Sequence, residues 1–308
     1  MTDADFTDPR LTERRNPRTN SIDVSTSLEI VEMMNAEDRT VPDVVYGARH
    51  NIAKLIDLVV GAFTHGGRLV YVGAGTSGRL GVLDASECPP TFGSDPDMVV
   101  GLIAGGVDAL RRAQEGAEDD EETARREIDR VRVTPHDVIV GIAASGATRY
   151  VVVALERAQE VGAKTALVTC ADPPTQLLER CEVVIALPVG PEVLTGSTRL
   201  KAGTATKLVL NMITTGAMIR LGKAYGNLMV DLMAWSEKLH DRSERILMET
   251  CGVSRSAARD ALERAGRSVK LAIVMVKRGV DADEARALLT DAGGVVRHIV
   301  GDPPPVTE

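Results

Sequence analysis

Five short apolar runs, at residues 68–73, 98–104, 137–143, 164–169 and 182–187, alternate with stretches of helical spacing through the middle of the chain. Each run is rich in Val, Ile and Leu and too short for an ordinary helix, so each reads as a buried strand. Strands that alternate with helices are joined by right-handed crossovers and pair in parallel. A parallel sheet needs cover on both faces. The expected fold class is therefore α/β, a three-layer sandwich around a five-stranded parallel sheet. Aromatic residues make up only 3% of the chain, so Val, Leu, Ile and Ala must build the core.

The flanks read differently. Residues 1–20 are polar and are expected to form a flexible tail. Residues 21–60 predict N-terminal helices packed on the sheet domain. Leu28, Ile30, Val31 and Met34 would form one apolar face there, and a single helix over 41–63 would carry Val45, Ile52, Leu55, Ile56, Val59 and Val60. The sheet domain is expected over 61–226. Within it, one helix should follow Gly78 and stop at Pro89-Pro90, a long charged helix should fill 107–131, and another should run from about 202 to 221. Residues 227–302 predict a small bundle of about three helices, with Ser254 as a cap and 269–276 as a buried segment. Residues 303–308, which begin with three prolines, read as a frayed tail.

A net charge of −8 gives no global field that would attract nucleic acid. Cys88, Cys170, Cys181 and Cys251 lack metal-type spacing and read as small apolar residues. His50, His65, His136 and His298 show no ligand spacing either. The first ten residues are polar and acidic, unlike a signal peptide, and no apolar run approaches the ~20 residues of a membrane helix. The expected setting is cytoplasmic, with no membrane and no nucleic-acid partner.

Three loops carry the chemistry. Gly73-Ala74-Gly75-Thr76-Ser77-Gly78 matches the spacing of a dinucleotide fingerprint, a weak signal alone. The next strand ends at Ala104-Gly105-Gly106, without the acidic residue a nicotinamide cofactor wants. The loop instead offers hydroxyls. Ala144-Ser145-Gly146-Ala147-Thr148 and Thr195-Gly196-Ser197-Thr198-Arg199 offer more. Hydroxyls beside free N–H groups at helix starts hold anions, and three such loops suit a phosphorylated sugar; each alone also fits an ordinary helix cap. A weak internal repeat (69–83 and 138–155) puts two of the loops at the carboxyl ends of strands, where open sheets bind ligands. The candidate contacts are Gly75, Thr76, Ser77, Gly78, Ser145, Gly146, Thr148, Thr195, Ser197 and Lys201, with Arg199 and Lys201 as charge balance. Two carboxylates stand out less clearly. Glu87 has no basic neighbour and precedes a proline pair that could aim it. Glu118 sits in an acidic run that reads as a solvated helix face. His240 is a weaker candidate for a neighbouring subunit's site, and Met229, Met233 and Trp235 read as packing.

The stretches Gly73 to Arg79, Asp84-Ala85-Ser86-Glu87-Cys88-Pro89-Pro90-Thr91, Glu115-Gly116-Ala117-Glu118-Asp119, Ala144 to Thr148 and Thr195 to Thr204 resemble the N-acetylmuramic acid 6-phosphate etherases. These belong to the sugar isomerase (SIS) superfamily. The resemblance runs from about residue 11 to 300 and extends to the glucokinase regulatory proteins, which sense sugar phosphates without turnover. It implies cleavage of a lactyl ether to N-acetylglucosamine 6-phosphate and D-lactate, without metal or cofactor, in a homodimer. It gives Glu87 the role of acid and Glu118 that of base, reversing the solvated-face reading of Glu118. One departure is visible: Ala147-Thr148-Arg149-Tyr150 replaces the family's Arg-Thr-Pro-Tyr. A regulatory sugar-phosphate sensor and an aldose–ketose isomerase are the alternatives the same loops would suit.

Overall fold

The computed structural model describes residues 11–232 and 237–305. Residues 1–10 of the expected 1–20 tail, the packing residues Met233 and Trp235, and the last three residues lie outside the described part. The chain divides into two compact units. One combines the chain up to Ser86 with Asp97–Thr214, and the other combines Glu87–Pro96 with Thr215–Glu308. These bounds differ from the expected break at 226/227.

The first unit is the α/β sandwich. Its strands are β1 (Leu69–Gly73), β2 (Val99–Ile103), β3 (Val138–Ile142), β4 (Lys164–Thr169) and β5 (Val183–Ala186), in the order β2-β1-β3-β4-β5. Every pair is parallel. All five expected strands are present. The helices are α1 (Ser27–Asp38), α2 (Val41–Gly47), α3 (Arg49–Thr64), α4 (Gly75–Phe92), α5 (Glu121–Arg130), α6 (Arg149–Val161), α7 (Thr175–Arg180) and α8 (Lys201–Arg220), the last residues of α4 and α8 belonging to the second unit.

Strand alternation assigns the layers. Val70, Val72, Ile139 and Leu167 face α5 and α6, where they meet Ala124, Ile128, Val151 and Leu155. Tyr71 and Gly101 point the other way, toward α4. A Cβ on Gly101 would lie 2.6 Å from Val82 Cα, so the strand needs glycine there for the helix backbone to approach. The side chain of Asp84 on α4 accepts hydrogen bonds from Tyr71 Oη (3.0 Å), Asn211 Nδ2 (2.6 Å) and Thr214 Oγ1 (3.2 Å). Burial raises the Asp84 pKa, against the lowering effect of those hydrogen bonds.

Several expectations are corrected. The flexible tail is ordered from residue 11: Leu11–Glu13, Pro17–Thr19 and Ile22–Val24 form short 3-10 turns, with Thr12, Asn16 and Thr19 buried. Their polar groups bond to residues far along the chain, a pairing invisible to local pattern. α1 exists, but part of its apolar face is exposed among the described residues: Leu28 is 67% and Val31 61% exposed. The expected 41–63 helix is two helices meeting at Ala48. Most consequentially, no long helix fills 107–131. Gly105 and Gly116 adopt positive φ (83° and 76°), which a helix cannot continue through. Asp120 then starts α5 by accepting from Thr123 N at 2.9 Å. Finally, α4 ends at Phe92, close to the expected stop near Pro89-Pro90, with both prolines in its last turn. Proline removes bonds to the preceding turn, while its own carbonyl still accepts, here from Gly93 N at 2.9 Å.

Among its described residues the second unit holds a two-stranded ribbon, β6 (Ala224–Tyr225) and β7 (Leu228–Met229), and five helices of its own where about three were expected: α9 (Glu237–Cys251), α10 (Arg255–Arg264), α11 (Val269–Arg278), α12 (Ala282–Asp291) and α13 (Val296–Val300). Ser254 caps α10 by accepting from Ala257 N at 3.3 Å, as expected. α11 is buried along most of its length.

Asp137, at the start of β3, ties β1 to β3. It accepts from Arg68 N (2.7 Å), Arg68 Nη2 (2.8 Å) and Thr134 N (2.8 Å), and is 1% exposed. Burial alone would raise its pKa, but Arg68 and these N–H groups outweigh that and hold it below the usual value. A lowered carboxylate contributes stability that is present above its unfolded pKa and lost as pH falls through the folded one. Asp137→Asn should therefore lower unfolding stability by about 2 kcal/mol at neutral pH. The gap between variant and wild type, read from urea midpoints, should narrow as pH falls below about 4.

Candidate active site

β1 leads outward to β2, and the chain then crosses back to pair β3 on the other side of β1. That reversal opens a crevice at the carboxyl ends of β1 and β3, the usual ligand position in an open α/β sheet. Gly73 and Ile142 are register partners. The loops that follow them therefore leave the sheet about 5 Å apart.

The first loop is shorter than expected. α4 begins at Gly75, and Gly78 N already bonds Ala74 O at 3.2 Å. Thr76, Ser77 and Gly78 are thus first-turn residues, and the N–H groups ahead of Gly78 point out of the helix start. Gly75 has φ 53°. Across the crevice, Gly146 has φ 81°, and Thr148 is the N-cap of α6 without a side-chain bond to its own helix. Among the described residues, the hydroxyls of Thr76, Ser77, Ser145 and Thr148 make no hydrogen bond. Two helix starts with unspent N–H groups and four unspent hydroxyls face the ends of neighbouring strands, which is an arrangement for a phosphate.

The residues after β2 close one side. A cavity of about 160 Å³ is lined by Ala74, Gly75, Arg79, Ala104, Gln114, Glu115 and Glu118, among others. Glu118 lies in the short 3-10 turn Ala117–Asp119 and is exposed. It belongs to a loop beside the α4 start and not to a solvated helix face. Arg79, whose role went unassigned from sequence, holds this loop by donating from Nη2 to Ala109 O at 2.7 Å.

The third loop behaves differently. The N–H groups of Lys201 and Ala202 at the start of α8 donate to the Glu192 carboxylate (3.0 and 2.9 Å), so this helix start is already occupied. Burial raises the Glu192 pKa, against those bonds. Lys201 departs from its expected role of balancing substrate charge. It is 1% exposed, and its Nζ lies 2.7 Å from Glu37 Oε2. Thr195 and Arg199 are exposed and Ser197 half-buried. What reaches the crevice is Gly203: a Cβ there would lie 3.6 Å from Thr76 Cγ2 and 3.5 Å from Thr198 O.

Glu87 is exposed on α4 and falls in the segment grouped with the second unit; it is not part of the cavity lining. His240 is half-buried in α9. Cys170 is buried and its thiol is pushed up to about 12 by desolvation, which keeps it protonated and unreactive near neutrality. Among the described residues, no group of three or more His, Cys, Asp or Glu side chains is placed to hold a metal, and no helix is long and apolar enough to cross a membrane.

The chain has close relatives among known proteins. A proteins named N-acetylmuramic acid 6-phosphate etherase from Mesorhizobium japonicum is 51% identical over 293 residues, covering 95% of each chain. The chain belongs to the N-acetylmuramic acid 6-phosphate etherase family. A relative of the same name from Geobacillus thermodenitrificans is 51% identical over 286 residues, covering 93% of this chain and 97% of that one. The model of the glucokinase regulatory protein N-terminal SIS domain matches residues 51–159, the stretch that carries β1 to β3 and both crevice loops. A solved phosphoheptose isomerase from Francisella tularensis aligns at 12% identity with a TM-score of 0.46, covering 63% of this chain and 98% of that one.

In this etherase-family chain, unspent hydroxyls make a direct prediction. Ser145→Ala removes no internal hydrogen bond, so unfolding stability should change by less than about 0.5 kcal/mol. Affinity for N-acetylglucosamine 6-phosphate, measured by calorimetry, should fall about tenfold.

Proposed function

We propose that this chain cleaves the lactyl ether of N-acetylmuramic acid 6-phosphate, releasing D-lactate and N-acetylglucosamine 6-phosphate, and so acts as a carbon–oxygen lyase in cell-wall amino-sugar recycling. The observation that carries the reading is the cavity that has Gly75 of the α4 start in one wall and Glu118 in another. An anion-binding helix start and a carboxylate share one small space. The 6-phosphate would sit on the N–H groups of Gly75 to Ser77 and on the hydroxyls of Thr76, Ser77, Ser145 and Thr148. The names of the relatives supply the substrate.

The chemistry follows from the ether's resistance to direct cleavage. In the open-chain sugar, the C2 proton is acidified by the C1 aldehyde. The Glu118 carboxylate removes it, and the electron pair forms the C2–C3 double bond as the C3–O bond breaks. Glu87, in its acid form, gives its proton to the departing lactate oxygen. Water then adds across the double bond: its hydroxide goes to C3 as Glu87 takes up a proton, and Glu118 returns one to C2. Ether plus water becomes lactate plus amino sugar, and both carboxyl groups end as they began. No metal or cofactor is needed to balance these steps.

Lys201 is not assigned to the phosphate in this scheme, because its ammonium is held by Glu37. Homodimer assembly in the cytoplasm belongs to the same reading, and the exposed Leu28 and Val31 of α1 supply apolar surface for a second copy. Light scattering should then give twice the 32.8 kDa chain mass.

Wild-type protein incubated with N-acetylmuramic acid 6-phosphate should release D-lactate, detected by a coupled dehydrogenase assay. Glu118→Gln and Glu87→Gln should each lower that rate by about 100-fold or more with unchanged thermal unfolding. Wild-type protein that releases no lactate contradicts the reading.

A further inference from the structure

The start of α8 holds an unusual concentration of buried charge. Lys201 is 1% and Glu37 3% exposed, and the two are joined at 2.7 Å. Arg18 closes on the same carboxylate from outside, with Nη2 2.8 Å from Glu37 Oε2. The hydrogen bond from Arg18, with help from Lys201 and Asn16 against the effect of burial, holds Glu37 down at about 2. It stays ionised at any working pH. Glu192, fully buried, caps the same helix through the Lys201 and Ala202 N–H groups.

The N-terminal turns grip the same stretch of chain from three further points. Thr19 Oγ1 donates to Val193 O at 2.8 Å, Asn16 Nδ2 donates to Pro191 O at 3.3 Å, and Gly196 N donates to Thr12 O at 3.1 Å. Residues 12–37 are thereby fastened to residues 191–202 by polar bonds. A buried ion pair contributes little net stability compared with an apolar pair of similar volume. Fastening by charge and hydrogen bond does fix geometry. What it fixes lies less than one turn further on: Gly203, where an added Cβ would lie 3.6 Å from Thr76 Cγ2 and 3.5 Å from Thr198 O.

We propose that Glu37 and Arg18 are positioning residues for the sugar-phosphate site, acting through Lys201 to seat the α8 start against Thr76. The N-terminal turns are then a strap belonging to the binding site, although none of their side chains lines the cavity. This inference rests on the phosphate reading of the Gly75–Ser77 turn. It goes beyond that reading in giving affinity a dependence on residues remote from any candidate contact.

The test uses two variants of the full-length protein. In the double variant Glu37→Met with Lys201→Met, an apolar pair of similar volume replaces the ion pair. Arg18→Met removes only the outer, solvent-exposed guanidinium, and the chain should fold even where the buried double change is not tolerated. For each, the affinity for N-acetylglucosamine 6-phosphate is measured by calorimetry, KM and kcat for lactate release are measured separately, and the melting temperature is recorded. The expected result for Arg18→Met is a melting temperature within about 3 °C of wild type. Its Kd and KM should rise about fivefold and its kcat should stay within about twofold. Arg18→Lys, which keeps one charged donor, should recover part of the affinity. The double variant, if folded, should show a larger rise in Kd, about tenfold or more. A lowered melting temperature with unchanged Kd and KM in Arg18→Met overturns the positioning role and leaves a purely structural one. Wild-type protein that binds no sugar phosphate overturns the phosphate reading itself, and this inference with it.

Discussion

β1 pairs with β2 on one side and with β3 on the other, and the chain reverses direction across the sheet between those pairings. Everything functional in the first unit depends on that constraint. The reversal sends the β1–α4 and β3–α6 connections to opposite faces, so nothing fills the space between their loops. Both loops then present helix starts whose N–H groups have no protein acceptor among the described residues. An anion suits such a space, because two helix starts with free N–H groups and hydroxyl-bearing side chains follow neighbouring strands. The third helix start, at α8, shows the alternative outcome. Glu192 reaches it first and satisfies it internally.

Much of this was legible from the sequence. The five strands, the parallel sheet and the position of α8 follow from apolar periodicity, and the structure agrees with them. The loops after β1 and β3 were recognisable from their small and hydroxyl-bearing residues. Periodicity failed where chain geometry is set by single residues. The run from 107 to 131 has the composition of a helix, but Gly105 and Gly116 at positive φ turn it into a loop that reaches the crevice. That difference moves Glu118 from an apparent solvent face into the lining of a cavity. The resemblance to the etherases put the emphasis on Glu118, which residue pattern alone would have discarded. Pro89 and Pro90 marked the end of α4 to within two residues, because a proline interrupts the turn before it and leaves the next residues free to stay helical.

The contacts that no local pattern could show are long-range and polar. Lys201 has the position of a helix-start cation beside a hydroxyl-rich loop, which suggests an anion partner. Its partner is a carboxylate 164 residues away in sequence. Thr12, Asn16 and Thr19 look like tail residues and prove to be buried, bonding through the Thr12 carbonyl and the Asn16 and Thr19 side chains. A sequence read by window weighs only neighbours, so a strap that bonds across the chain reads as disorder.

The account's central chemical claim is that the bond broken is the one between the lactyl oxygen and sugar C3, through elimination and rehydration. Turnover in oxygen-18 water followed by mass spectrometry of both products tests it directly. Elimination leaves the ether oxygen on lactate and takes the new hydroxyl from solvent, so the heavy isotope should enter N-acetylglucosamine 6-phosphate and be absent from D-lactate. Heavy oxygen in the lactate would mean that the bond on the lactyl side is cleaved, and would contradict the assignment of Glu118 as a base at C2.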